Sequence, residues 1–231
     1  MASSLGTGTL TIAGGVQKVF GIKSAPFLWG IIIVVIVTTF VISSVSGIMK
    51  GIRVLSSINA KVYIILLGFL LIFGPTAFML NFSVESYGQY LRDFLPMSLS
   101  TGEIFGESWA RSWPVFYWCN WLSWTPITAI FLAKILRGYT IRDAIKCNFV
   151  IPALFSTLWM GVFASSSIYY ELNGEGFYEI MQTQGTESVV YEVFNQMPLS
   201  TVLIVFYLFI VFISFVTASD SNTNAMAGLC T

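Results

Sequence analysis

The sequence predicts an all-α membrane protein, and three observations carry that prediction. The 231 residues are 56% hydrophobic and only 10% charged, with a mean hydropathy of +0.80, whereas a soluble domain is nearer a quarter charged. Apolar runs close to bilayer-crossing length, about 20 residues, recur along the whole chain. The clean runs contain no charge, and backbone polar groups in hydrocarbon must be satisfied within their own segment, which makes the runs helices.

In chain order, a first run at about residues 5–20 is glycine-rich and weaker, and reads as part of a helix. Residues 26–45, 62–80, 113–133 and 147–170 are clean spans, and 199–218 is nearly as clean. Together they make a single transmembrane domain over residues 1–231. Pro75, in "FGPT", falls inside the 62–80 run and is expected to kink it. Pro126 falls inside the 113–133 run, where it removes one backbone hydrogen bond. Two readings of Pro126 stand: a helix break that lines a substrate or ion path, or a kink of the kind membrane helices tolerate. The opening "MASSLGTGTLTIAGG" lacks the basic flank and long apolar core of a signal peptide. The closing "SNTNAMAGLCT" stops without a basic flank. Both ends lead us to expect a segment of a longer protein.

The connections alternate in charge. Residues 46–61 hold Lys50, Arg53 and Lys61 with no acid, and residues 81–112 hold Glu85, Arg92, Asp93, Glu103, Glu107 and Arg111. Residues 134–146 hold Lys134, Arg137, Arg142 and Lys146 against Asp143, and residues 171–198 hold Glu171, Glu175, Glu179, Glu187 and Glu192. Basic connections stay on the cytoplasmic side. That places 46–61 and 134–146 inside and 81–112 and 171–198 outside, with Lys18 and Lys23 as a mild exception. The two external connections are expected to carry short surface helices. The simplest role of Lys134, Arg137, Arg142 and Lys146 is topological; gating through ion pairs with Asp143 is an alternative.

Several functions are disfavoured. Zero net charge gives no footprint for nucleic acid. Cys119, Cys147 and Cys230 are far apart and suggest neither a disulfide framework nor a metal site. There is no histidine, so imidazole ligands and proton relays are excluded in this chain. With no acid inside the clean spans, a membrane-embedded enzyme lacks its chemistry and no cofactor is implied. A channel lacks its charged ring or carbonyl filter.

The stretch "WPVFYWCNWLSWTP", residues 113–126, holds four tryptophans and no charge. Trp118, Trp121 and Trp124 are spaced i, i+3, i+6 and form one rising stripe on a helix. An interfacial aromatic belt would account for Trp109 and Trp113. It does not account for Trp124, about 16 Å further along at helical rise. Ordinary helix packing is a further reading. The functional one is an aromatic cage: a quaternary ammonium has no N–H to donate, so indole faces hold it by cation–π attraction, about 2 kcal/mol or more when desolvated. The absence of acids in the spans suits a zwitterion that brings its own negative charge.

The stretch "FYWCNWLSWTPITAIFLAKILRGYTIRDAI", Phe116 to Ile145, resembles the signature of the betaine/carnitine/choline transporter family. The blocks "GIRVLSSINAKVYIILLGFLLIFGPT" and "SFVTASDSNTNAM" resemble the same family in order and spacing. The resemblance covers essentially the whole chain. It implies part of an inverted-repeat (LeuT-like) bundle of about twelve helices, with this chain as helices five to ten. The family's broken third helix and fourth-helix aromatics would precede Met1, so this chain would hold half of the substrate site. The implied function is secondary active transport of betaine, choline or carnitine across the plasma membrane by alternating access, as symporter or antiporter. A transporter-like osmosensor or receptor, or a carrier of another amine, is the alternative.

The resemblance assigns substrate contacts to Trp121 and Trp124, with Trp118 the preceding indole of the motif. Asn120 stands where many members carry a second tryptophan that helps form an outer aromatic site, and Ile127 replaces a frequent aromatic. Substrate identity near Asn120 is therefore open. In sodium-coupled members a Thr-Ser hydroxyl pair on the tenth helix contributes to an ion site. Here Thr217 matches, Ala218 takes the serine position, and Ser219 follows. Thr217 and Ser219 are candidate ligands for Na+ as coupling ion, and interhelical hydrogen bonding explains them equally well. Asp220 reads either as a functional membrane-edge acid or as a solvated one. The implied partners are a small quaternary-ammonium substrate and membrane lipid, with a homotrimer as some members form.

Overall fold

Each apolar run becomes helix, and no strand occurs among the described residues. The computed structural model describes residues 2–22, 24–45 and 49–227; Lys23 and Cys230, weighed above, lie outside the described residues. The helices are α1 (Ala2–Phe20), α2 (Pro26–Val45), α3 (Met49–Phe73), α4 (Thr76–Ser98), α5 (Glu107–Ala110) and α6 (Phe116–Ile135). They continue as α7 (Ile141–Ile145), α8 (Ile151–Leu172), α9 (Phe177–Gln184), α10 (Val189–Asn195) and α11 (Ser200–Ala227). One wide π turn, Arg111–Val115, joins α5 to α6, and another, Lys146–Val150, joins α7 to α8. The first contains Pro114, which has no N–H to give and so disturbs the ordinary helical ladder.

Pro75 does more than kink its run. The helix stops at Phe73 and restarts at Thr76. Gly74 N donates to Leu70 O (2.9 Å), Thr76 N donates to Gly74 O (2.8 Å), and the Thr76 hydroxyl bonds Leu71 O. A Cβ at Gly74 would lie 2.6 Å from the Leu70 carbonyl oxygen, so the joint requires glycine. Pro126, by contrast, sits in a helix that runs unbroken from Phe116 to Ile135. The connection expected at 81–112 is largely helix, because α4 extends to Ser98.

The helices α3, α7 with α8, and α11 contain windows apolar and long enough to cross a membrane, Ser56–Phe73, Ile141–Leu172 and Ser200–Thr223. Pro26–Ile42 is a shorter apolar helix by the same measure. It is mostly apolar, and Phe27, Val34 and Ile42 are exposed, the arrangement of a helix that faces lipid. The α6 helix mixes three tryptophans, Asn120 and several hydroxyls into its apolar run. Hydroxyls in these helices are satisfied locally: Thr38 donates to Val34 O (2.7 Å) and Ser166 to Val162 O (2.6 Å), which makes them tolerable in hydrocarbon.

The chain divides into two compact units, residues 1–80 with 159–224, and residues 81–158 with the last residues. In the first, α1 packs closely on α11. A Cβ at Gly8 would meet the Phe215 ring at 2.5 Å, and one at Gly15 would meet Leu208 at 2.6 Å. Glycine at these positions leaves the room that the Phe215 and Leu208 side chains fill against the α1 backbone.

The core of this unit gathers around α10. The 171–198 connection carries two short α-helices, and only α9 is mostly exposed as expected; in α10, Tyr191, Val193 and Phe194 are fully buried. The Phe194 ring lies 5.7 Å from Phe163 and 5.0 Å from Tyr207, pairs worth about 0.5–1.5 kcal/mol each beyond area burial. The Tyr191 hydroxyl donates to Thr11 O on α1 (2.7 Å), and burial pushes its phenol above the ordinary range. Lys18 of α1 pairs with Glu192 of α10. The basic residue that looked misplaced by charge therefore shares its side with the acidic connection.

Among the described residues of the second unit, Ala110 is the buried hydrophobic one. Leu91, Leu95, Phe116, Leu122, Ile141 and Phe149 are exposed, the surface expected of a segment covered by lipid or by further protein. A Thr140 N-cap starts α7: its Oγ1 accepts from Asp143 N (3.2 Å) and donates to Asp143 Oδ2 (2.7 Å). Asp143 is thus engaged as a capping residue, which accounts for it without a gating pair.

Candidate functional site

The tryptophan stripe and the α11 hydroxyls fall in different units, so each is described alone. In the second unit, α6 carries Trp118, Trp121 and Trp124 on one continuous helix. Its hydroxyls bond back to carbonyls of the preceding turn, Ser123 to Cys119 O (2.7 Å) and Thr125 to Trp121 O (2.9 Å). The Trp118 indole reaches Ser98 O at the end of α4 (3.4 Å).

Trp118 and Trp121 are both exposed on their helix, and both line a cavity of about 1060 Å³. Its volume lies just above the range usual for small-molecule sites, roughly 300–1,000 Å³. One wall comes from the Trp109-to-Trp121 segment, including Trp113 and Tyr117, stacked at 6.0 Å with rings 5° apart. The other comes from α4, with Tyr90, Phe94 and Met97. The lining is predominantly aromatic and aliphatic, with few polar groups. Asn120 and Trp124, on the same helix, are partly exposed and lie outside this lining.

Trp109 and Trp113, read as a belt, line the cavity, and Tyr117, which no reading singled out, lines it with them. The signal was present: Trp113, Tyr117 and Trp121 are spaced i, i+4, i+8, one face of a helix. The α4 wall was hidden because its facing residues are mixed with polar ones.

One acid belongs to the lining, Asp93 of α4. Its oxygens receive a two-pronged hydrogen bond from the adjacent Arg92, Nε to Oδ1 and Nη2 to Oδ2, both 2.9 Å. That bond holds the Asp93 carboxyl below the ordinary carboxylate range.

In the first unit, Thr217 donates to Ile213 O (2.9 Å) and Ser214 O (3.0 Å) of its own helix. Ser219 and Asp220 are buried at 7% and 4% exposure. A solvated position for Asp220 is therefore not what the fold provides, and its Oδ1 has no hydrogen-bond partner among the described residues. Asn59 Nδ2 donates to Ser214 Oγ (2.6 Å), and the Tyr63 hydroxyl lies 3.0 Å from the same oxygen. These polar contacts tie α3 to α11. Cys119 and Cys147 are free thiols. No cluster of three or more metal-binding side chains occurs among the described residues.

Residues 1–231 match the family model described as "BCCT, betaine/carnitine/choline family transporter". The chain is 32% identical over 225 residues to the glycine betaine transporter OpuD of Bacillus subtilis (strain 168), covering 96% of this chain and 43% of the relative. It is 32% identical over 224 residues to an ectoine/hydroxyectoine transporter of Virgibacillus pantothenticus, covering 96% and 44%. It is 34% identical over 227 residues to the ectoine/glycine betaine/proline transporter EctP of Corynebacterium glutamicum, covering 96% and 36%. The chain thus spans less than half the length of these curated relatives.

Proposed function

Because the chain belongs to the betaine/carnitine/choline family of transporters, we propose that the complete protein is a secondary active carrier of quaternary-ammonium and related zwitterionic solutes. The carrier works by alternating access across the cytoplasmic membrane. The observation that carries this reading is the aromatic cavity lined by Trp118 and Trp121. Indole faces attract a cationic head that no hydrogen bond can hold. The printed names of the relatives, glycine betaine, ectoine and proline, keep small zwitterions in the substrate class beside cationic amines. Asn120 and Trp124 belong to the same binding helix in this proposal, with Asn120 supplying polar contact where an amine carries N–H.

Sodium is the proposed coupling ion, with Thr217 and Ser219 as candidate ligands. The Thr217 hydroxyl donates to helix carbonyls yet keeps lone pairs to offer a cation. The experiment is uptake of labelled betaine, choline and carnitine into liposomes carrying the complete protein, with and without a sodium gradient. Trp121→Ala is expected to raise KM at least tenfold, about 1.4 kcal/mol or more. Unchanged affinity in that variant would remove Trp121 from the site. Uptake that ignores sodium but responds to internal substrate would replace symport with exchange, and Ala218 would then be the reason.

A further inference from the structure

We infer that Asp93 is a specificity-determining residue of the aromatic cavity, one that favours a net-cationic quaternary ammonium over a zwitterion, and that Arg92 attenuates it. The inference rests on the cavity being the substrate site. Asp93 shares one face of α4 with Gln89, Tyr90 and Met97, at spacings of three and four residues, and all four line the cavity. Arg92 is not in that lining. Its side chain is 72% exposed where that of Asp93 is 29% exposed. The carboxylate therefore stands between a guanidinium on the solvent side and the aromatic walls.

A carboxylate offers about four lone-pair sites, and the two-pronged bond from Arg92 occupies two. Gln89, on the same face, also bonds this carboxylate, and the net charge left after both partners acts on the cavity. A head such as trimethylammonium spreads its positive charge over methyl groups and gains from indole faces and from a nearby negative charge alike. A zwitterion gains less, because its own carboxylate is repelled by Asp93. The guanidinium weakens the field of Asp93, so removing it strengthens the preference.

The test is calorimetric titration of the complete protein with tetramethylammonium and with glycine betaine. Asp93→Asn is expected to weaken tetramethylammonium binding about tenfold and betaine binding less than about threefold. Arg92→Gln is expected to tighten tetramethylammonium binding about threefold, the opposite sign, and Asp93→Glu to restore most of the loss. A pair that only props the helix would make both neutral variants fail alike, for both ligands, and that result would overturn the inference. So would no saturable binding of tetramethylammonium to the native protein, or an unchanged affinity in Asp93→Asn. Trp121→Ala separates the two levels. If it weakens both ligands while Asp93→Asn weakens neither, the cavity stands and the role of Asp93 falls. If it changes neither ligand, the substrate-site reading falls with it.

Discussion

Asp93 sits beside its own counter-ion, and that fixes how it responds to acid. An unpaired carboxylate against aromatic walls would be pushed toward its neutral form by desolvation. The Arg92 hydrogen bond acts the other way and holds the carboxyl below the ordinary carboxylate range. A depressed value means the charge is present throughout the neutral and mildly acidic range and is lost only as pH falls through the lowered value. Tetramethylammonium affinity is therefore expected to stay flat from pH 8 to about pH 5, above the ordinary aspartate value near 4. In Arg92→Gln the decline should begin at higher pH. Titrations at four or five pH values check this, and a native affinity already falling by pH 6 would contradict it. Asp93 entered the sequence reading as one acid in a charge tally. Its position facing indoles depends on α4 running helical to Ser98, which no apolar run announced.

At the scale of the element, α1 and α11 show what run length reveals and what it leaves out. Both were legible as helix from their apolar residues. Their closeness was not, because Gly8 and Gly15 look like weakness in a span until Phe215 and Leu208 are seen against them. Gly15→Leu places a branched side chain where even a Cβ would lie 2.7 Å from the Tyr191 hydroxyl. Overpacking of this kind costs about 1–3 kcal/mol. We expect a lower melting temperature for the complete protein in detergent, read by thermal unfolding, with Gly6→Leu as the comparison. No neighbour lies within 4 Å of a Cβ there, so an equal loss in both variants would argue against close packing. The joint at Gly74 and Pro75 was half legible: proline marked the place, but only the carbonyl of Leu70 makes it a full stop.

At the scale of the whole molecule, the long apolar runs at α3, α8 and α11 follow from composition, since hydrocarbon leaves a chain few choices. The family signature was legible for the same reason: it is long, and it lies in the least ambiguous helix-rich stretch. The buried α10 was not legible. Seven residues are too few for a period to stand out, and Glu192 beside Tyr191 made the segment look external. Its apolar side chains are hidden because α1, α8 and α11 offer them partners, which is tertiary information.

The burial of α10 decides where the 171–198 connection can carry a label. Asn173 to Glu175 form an exposed turn, and Gly174 and Gly176 hold left-handed backbone angles of +88° and +66°. An epitope spliced in after Gly174 enters an exposed turn and displaces no buried side chain, and exposed turns generally accept inserts. The same epitope after Val193 would pull Phe194 out of its aromatic contacts. We expect the first insertion to leave betaine uptake and surface antibody binding intact and the second to abolish both. That connection is thus a handle along its first half and a keystone along its second.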